Sequence, residues 1–153
     1  MTTVVFKDGV LACDSLVVDG NQKLLTPTQK IFKVKHLVAA ICGDYEQACD
    51  AAMYLLNTEL KKHYVKPKNP DFEVWVFNKE THESKTYRNQ VKTGHEIQSP
   101  CSMGSGSDFA MGALLSGVCC KRAIEIAATL DTTTDKNIRV VRLWKLQNKK
   151  YKK

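Results

Sequence analysis

Apolar residues never run long enough in this 153-residue chain to cross a bilayer, which takes roughly 18 or more in succession. The first residues also lack the basic flank, apolar stretch and cleavage signal of an export leader, so a cytoplasmic protein is expected. The six cysteines (Cys13, Cys42, Cys49, Cys101, Cys119 and Cys120) are too sparse for a disulfide scaffold and sit mostly in apolar runs, as reduced core thiols do. No Cys-x-x-Cys occurs, and the adjacent Cys119 and Cys120 would diverge on a helix, so no metal site is expected. The glycine-rich stretch 103–108 is not followed by Gly-Lys-Ser/Thr and is therefore no phosphate loop. The net charge of +7 comes without interleaved aromatics or a groove-reading helix. Seven basic residues (Arg139, Arg142, Lys145, Lys149, Lys150, Lys152 and Lys153) crowd the last fifteen positions, which reads as a solvated tail and argues against nucleic-acid recognition.

What remains is one globular domain, 1–148, followed by a basic tail, 149–153. With 43% hydrophobic and 25% charged residues the chain can bury a core, and it has no room for a second domain. Residues 3–7 and 10–15 are β-rich runs joined by Asp8-Gly9, the signal for a tight hairpin with both central residues at positive φ. Residues 18–29 carry Asp19-Gly20-Asn21 and Thr26-Pro27 and read as turn and loop, followed by strands over 31–34 and 37–42. Asp44 is placed to cap a helix reaching about Tyr64, with Tyr45, Ala48, Ala52, Leu55 and Leu56 on one face. Residues 66–70 form a loop, and 73–78 with 84–88 a second hairpin in which Val74, Val76 and Asn78 face opposite to Trp75 and Phe77. Ser107 or Asp108 can cap a helix through Leu115, a further helix spans about 120–130, and a last strand runs over 138–146. Strands, helix, strands, two helices, strand is an order that implies antiparallel sheets covered by helices.

The chemistry begins at the start of the chain. Thr2 is small enough for the initiator Met1 to be removed, which would leave its hydroxyl beside a free α-amine. That amine, with a reference pKa of about 8, can accept the hydroxyl proton, so nucleophile and base come on one residue. Alone, Met-Thr is a common start and says little.

The combination of Thr2-Thr3-Val4-Val5, Ala12-Cys13-Asp14, Gln29-Lys30-Ile31-Phe32-Lys33-Val34, Val38-Ala39-Ala40-Ile41-Cys42-Gly43-Asp44, Gly104-Ser105-Gly106-Ser107 and the helix from Ile124 to Asp131 resembles the proteasome β-subunit and HslV-like family of N-terminal-nucleophile hydrolases. It covers nearly the whole chain in the same order, including the separation of Asp14 from Lys30, and a catalytic-type subunit without an α-type helical extension before Thr2 is expected. The resemblance implies an α/β (α+β) fold, the four-layer αββα sandwich with two antiparallel sheets between helical layers. It implies a threonine-type peptidase working through an acyl-enzyme on Thr2, with no cofactor. Lys30 would be the cation that favours the ionised hydroxyl, Asp14 its partner, and Ser105 and Asp131 the hydrogen-bonding support of the α-amine. Thr134 would stand where the family more often has serine, and Ala40 where it usually has the glycine whose amide stabilises the oxyanion. Val17, Thr28, Phe32, Val38 and Cys42 would line a pocket for apolar side chains. Family members form rings enclosing their sites, so a homo-oligomer acting on peptide or unfolded protein is implied, with an ATP-dependent unfoldase as possible partner. A catalytically silent assembly or binding protein that keeps Met1, and an amidohydrolase of small amides, are the alternative readings.

Overall fold

The structure, a computed structural model, describes residues 2–19, 22–23, 28–57 and 63–146. Met1, the turn residues Gly20 and Asn21, Thr26-Pro27 and the tail 149–153 lie outside them.

Strands β1 (Thr3–Lys7) and β2 (Val10–Asp14) close through Asp8 and Gly9 at φ 53° and 75°, the two-residue turn expected from the sequence. This hairpin sets the register Val4 to Cys13 and brings Asp14 back to the start of β1. A short pair, β3 (Val18–Asp19) with β4 (Gln22–Lys23), follows within the stretch read as loop. Strands β5 (Ile31–Val34) and β6 (Leu37–Gly43) pair next, and β6 runs directly into α1 (Tyr45–Leu56). Asp44 caps that helix, its carboxylate accepting the Gln47 N–H at 3.0 Å. The helix ends earlier than its periodicity predicts: Asn57 has extended backbone, 58–62 lie outside the described residues, and Tyr64 packs on Tyr54 from beyond the helix.

Strands β7 (Phe72–Asn78) and β8 (Ser84–Arg88) form the expected second hairpin, extended by β9 (His95–Glu96). Residues 101–104, to which the sequence reading gave no strand, form β10 (Cys101–Gly104), paired antiparallel with β1. Helix α2 (Ser107–Leu115) begins with Gly106 as N-cap and no side-chain cap bond, so Ser107 and Asp108 are helical rather than capping. Helix α3 (Cys120–Leu130) leads to β11 (Ile138–Arg142), which stops short of the expected Leu146. Leu143 still donates its N–H to the Gly9 carbonyl at 2.8 Å.

The strands assemble into a four-stranded sheet, β10-β1-β2-β11, and a five-stranded one, β5-β6-β7-β8-β9, both antiparallel. Alternation sorts their side chains into three apolar layers. Val4, Phe6, Leu11 and Cys13 meet Ile31, Val38, Trp75 and Phe77 between the sheets. Val5 and Ala12 face α2 and α3, while Ala39, Ile41 and Val74 face α1. The result is the αββα sandwich, and it places the ends of β1, β2, β5 and β6 around one opening.

Candidate functional site

That opening is a cleft of about 460 Å³ lined by Thr2, Val17, Val18, Lys30, the segment 41–46, Ala48 and Asp71. Beneath it lies a buried ion pair. Asp14, fully buried at the end of β2, and Lys30, 1% exposed just before β5, are 3.1 Å apart. Lys30 Nζ also donates to the Leu16 carbonyl. Asp14 Oδ1 accepts the Thr3 N–H at 2.9 Å as well as Lys30 Nζ, and its Oδ2 accepts the amides of Leu16 at 3.2 Å and Asp135 at 3.3 Å. Burial pushes the Asp14 carboxyl above its ordinary value, against the opposing pull of the Lys30 ammonium and the Thr3 and Leu16 amides. Buried charge is costly unless paired and fully hydrogen-bonded, and these partners meet that condition for Asp14.

A second set of groups holds the start of β1 from the other side. Gly104, at φ 97°, has no room for a side chain: a Cβ there would run into the Thr2 carbonyl. Ser105 donates its backbone N–H to that carbonyl at 3.0 Å and its hydroxyl to Asp131 Oδ2 at 2.7 Å. The Thr3 hydroxyl accepts the Gly106 N–H at 3.1 Å and lies 2.6 Å from the Thr134 hydroxyl, which donates to Asp131 Oδ2 at 2.6 Å. Thr133 donates its N–H to Asp131 Oδ1 at 3.1 Å, and its hydroxyl lies 2.7 Å from Ser105 Oγ. Burial raises the Asp131 carboxyl, but the bonds from Ser105, Thr134 and Thr133 outweigh it and hold the group below its ordinary value.

The structure thus brings Thr2, Asp14, Lys30, Ser105, Asp131 and Thr134 to one end of the sandwich. It does not do the same for Ala40. Amides alternate sides along a strand, and Ile41 donates its N–H to the Lys30 carbonyl at 3.1 Å, so the Ala40 amide faces β7, opposite Trp75. The expectation that Ala40 supplies an oxyanion donor is corrected on that ground. Two residues on, the Gly43 amide turns to the same side as that of Ile41, and Gly43 lines the cleft with Thr2 and Lys30. Its positive φ of 95° acts after that amide, so the direction is set by the regular strand before it.

The pocket also differs from expectation. Val17 and Cys42 line the cleft. Val38 is buried between the sheets, Phe32 packs on the α1 side, and Thr28 is held by its N–H bond to Ser15 O at 3.0 Å, outside the lining. In their place stand Val18, Ile41, Tyr45 and three acidic residues, Asp44, Glu46 and Asp71. Thr133, Gly43 and Asp135 escaped the sequence reading. The Cys42 thiol is pushed up to about 12, mainly by burial, so it stays protonated at neutral pH and does not rival a hydroxyl activated by a neighbouring base. Among the described residues no group of His, Cys, Asp and Glu side chains is arranged to hold a metal ion.

Two antiparallel sheets packed face to face with helices outside are a fold that solved structures share with this chain. They include eukaryotic HslV from Trypanosoma brucei, with 17% identity, a TM-score of 0.68 and coverage of 92% of this chain and 97% of that one. BPH from Thiobacillus denitrificans, 19% identical and covering 94% of this chain and 98% of that one, gives TM-scores of 0.65 alone and 0.64 in complex with epoxomicin. The chain has the proteasome β and HslV-like fold. No family model matches the sequence, and no curated protein matches it.

Proposed function

We propose that this protein is a threonine peptidase whose nucleophile is the Thr2 hydroxyl, exposed together with its α-amine by removal of Met1. The observation that carries the proposal is the position of Lys30: its ammonium shares Asp14 Oδ1 with the Thr3 amide and lines the same cleft as Thr2. A fixed positive charge there favours the alkoxide character that Thr2 Oγ1 acquires during attack. Oγ1 attacks the peptide carbonyl carbon, and its proton passes through the α-amine to the leaving nitrogen. The carbonyl oxygen, negative in the tetrahedral state, is assigned to the Gly43 amide in place of Ala40. Water, deprotonated by the same amine, then hydrolyses the ester and restores Thr2. Ser105, Asp131 and Thr134 keep the first residues from drifting out of line, the orientation that such attack requires. By the same resemblance, we place the protein in a homo-oligomeric ring in the cytoplasm that takes unfolded polypeptide, with an unfoldase as feeder. No helix among the described residues is long and apolar enough to cross a membrane.

Epoxomicin, with which BPH was solved in complex, is the probe. Intact-mass analysis of the purified protein should show loss of one methionine, and treatment with epoxomicin should add one inhibitor mass at Thr2 that is absent from Thr2→Ala. Retained Met1, or labelling at Thr3 or Cys42, would overturn the assignment and leave an assembly protein with the same architecture. Cleavage of small amides but no peptides, in a mixed substrate panel, would move the protein to the amidohydrolases.

A further inference from the structure

Thr2 is only 5% exposed and lines the cleft, and among the described residues no hydrogen bond engages its hydroxyl. A buried polar group without an internal partner calls for one from outside. The rest of the lining shows what kind of molecule that is. Three acidic residues share it: Asp44 at the start of α1, Glu46 in its first turn and Asp71 just before β7. Lys30 is the one base lining the cleft among the described residues, and its charge is answered from beneath by Asp14 at 3.1 Å and by the Leu16 carbonyl. The amino end of α1 adds about half a positive charge, which Asp44 already meets in accepting the Gln47 N–H. Three acids against half a charge leave the cleft negative.

We infer that the cleft selects a basic side chain, lysine or arginine, on the acyl side of the bond to be cut, with Glu46 and Asp71 as specificity-determining residues. This rests on the peptidase reading above and names its substrate class. The carbonyl that Thr2 attacks is bonded to the Cα carrying that side chain, so it is the side chain brought nearest the lining. Val17, Val18 and the Tyr45 ring take its alkyl stem. The Tyr45 hydroxyl donates to the Gln29 carbonyl at 3.1 Å, which ties the ring into the wall. A cation is attracted to an aromatic ring as well as to carboxylates, whereas an acidic side chain meets like charge there. Asp44 is committed to its helix, but Glu46 and Asp71 form no ion pair among the described residues, so their charges are left for an incoming group.

Two fluorogenic peptides that differ only in arginine or citrulline before the scissile bond match in shape and differ in charge. On the Met1-free protein the arginine peptide should have a kcat/KM on the order of tenfold higher, since exposed carboxylates give up to about fivefold each. Raising the salt from about 0.05 to about 0.5 M should shrink that advantage, as screening requires. In the double variant Glu46→Gln, Asp71→Asn the ratio should approach one, and because it is a ratio, any general loss of activity cancels. A wild-type ratio at or below one, or a double variant that keeps the wild-type ratio, would overturn the inference. Equilibrium binding of the same two peptides to Thr2→Ala separates it from the reading on which it rests. Peptide cleavage with no arginine advantage removes the charge selection and leaves the peptidase standing. No cleavage by the wild type, with arginine still bound more tightly by Thr2→Ala, removes the peptidase and leaves the selection. No cleavage and no difference in binding removes both.

Discussion

Asp14 and Lys30 are partners of unequal dependence. Lys30 relies on Asp14 and the Leu16 carbonyl, whereas Asp14 keeps three backbone amides if Lys30 is lost. Asp14→Ala should therefore cost about 3–5 kcal/mol in urea unfolding, because it strands a buried ammonium. Lys30→Met should cost clearly less stability while abolishing turnover, and the two unfolding curves together with a peptide assay check both halves. Asp131 makes a pH prediction. Its folded value lies below the ordinary one, so its bonds stabilise the protein fully above the usual carboxylate range and fade as pH falls through the depressed value. The stability gap between wild type and Asp131→Asn, followed by urea midpoint, should accordingly be widest near neutrality and close in acid. Thr2, Asp14, Lys30, Ser105 and Asp131 stand out in the sequence only through the resemblance of the motifs around them to a known family, because each residue type alone is commonplace at its position. The oxyanion amide does not. Any residue but proline carries an N–H, and whether it faces β5 or β7 depends on strand parity, which appears only once Ile41 is seen bonded to Lys30.

Among the elements, β10 shows why a strand can hide. Its four residues alternate too briefly to be read, with Cys101 and Met103 on the core and Ser102 and Gly104 between them, and pairing with β1 from Thr3 to Phe6 makes it a strand. That pairing brings Gly104 against Thr2. Gly104→Ala would combine a left-handed backbone with a collision at the Thr2 carbonyl, and we expect it to lose at least about 2 kcal/mol and to stop epoxomicin labelling even in the fraction that folds, as thermal melts and intact mass would show. The α1 helix was legible at its start, where Asp44 caps it, and not at its end, because helical spacing alone does not say where the chain turns away. Its contact face is made of small residues: Ala48, Ala51 and Ala52 are fully buried on β6 and β7. Ala52→Leu should overpack this layer, costing about 1–3 kcal/mol in chemical denaturation.

For the whole molecule, the layered sandwich could be anticipated from the order of strands and helices, since each sheet must bury both faces. The cleft lining could not, because it gathers residues from β6, α1 and the loop before β7 whose proximity no local pattern records. If the ring proposal holds, sedimentation of the native protein will give a mass several times that of the 17.2 kDa chain, whereas a monomer at micromolar concentration would remove it. The ion pair has one more consequence at this scale. Asp14 ends a strand of one sheet and Lys30 leads into a strand of the other, so their contact closes only when the two halves have docked. If Thr2 is the nucleophile proposed above, an incompletely folded copy carries the threonine without the lysine that would activate it. On that proposal reactivity waits for the two sheets to meet, which would spare neighbouring chains from premature cleavage.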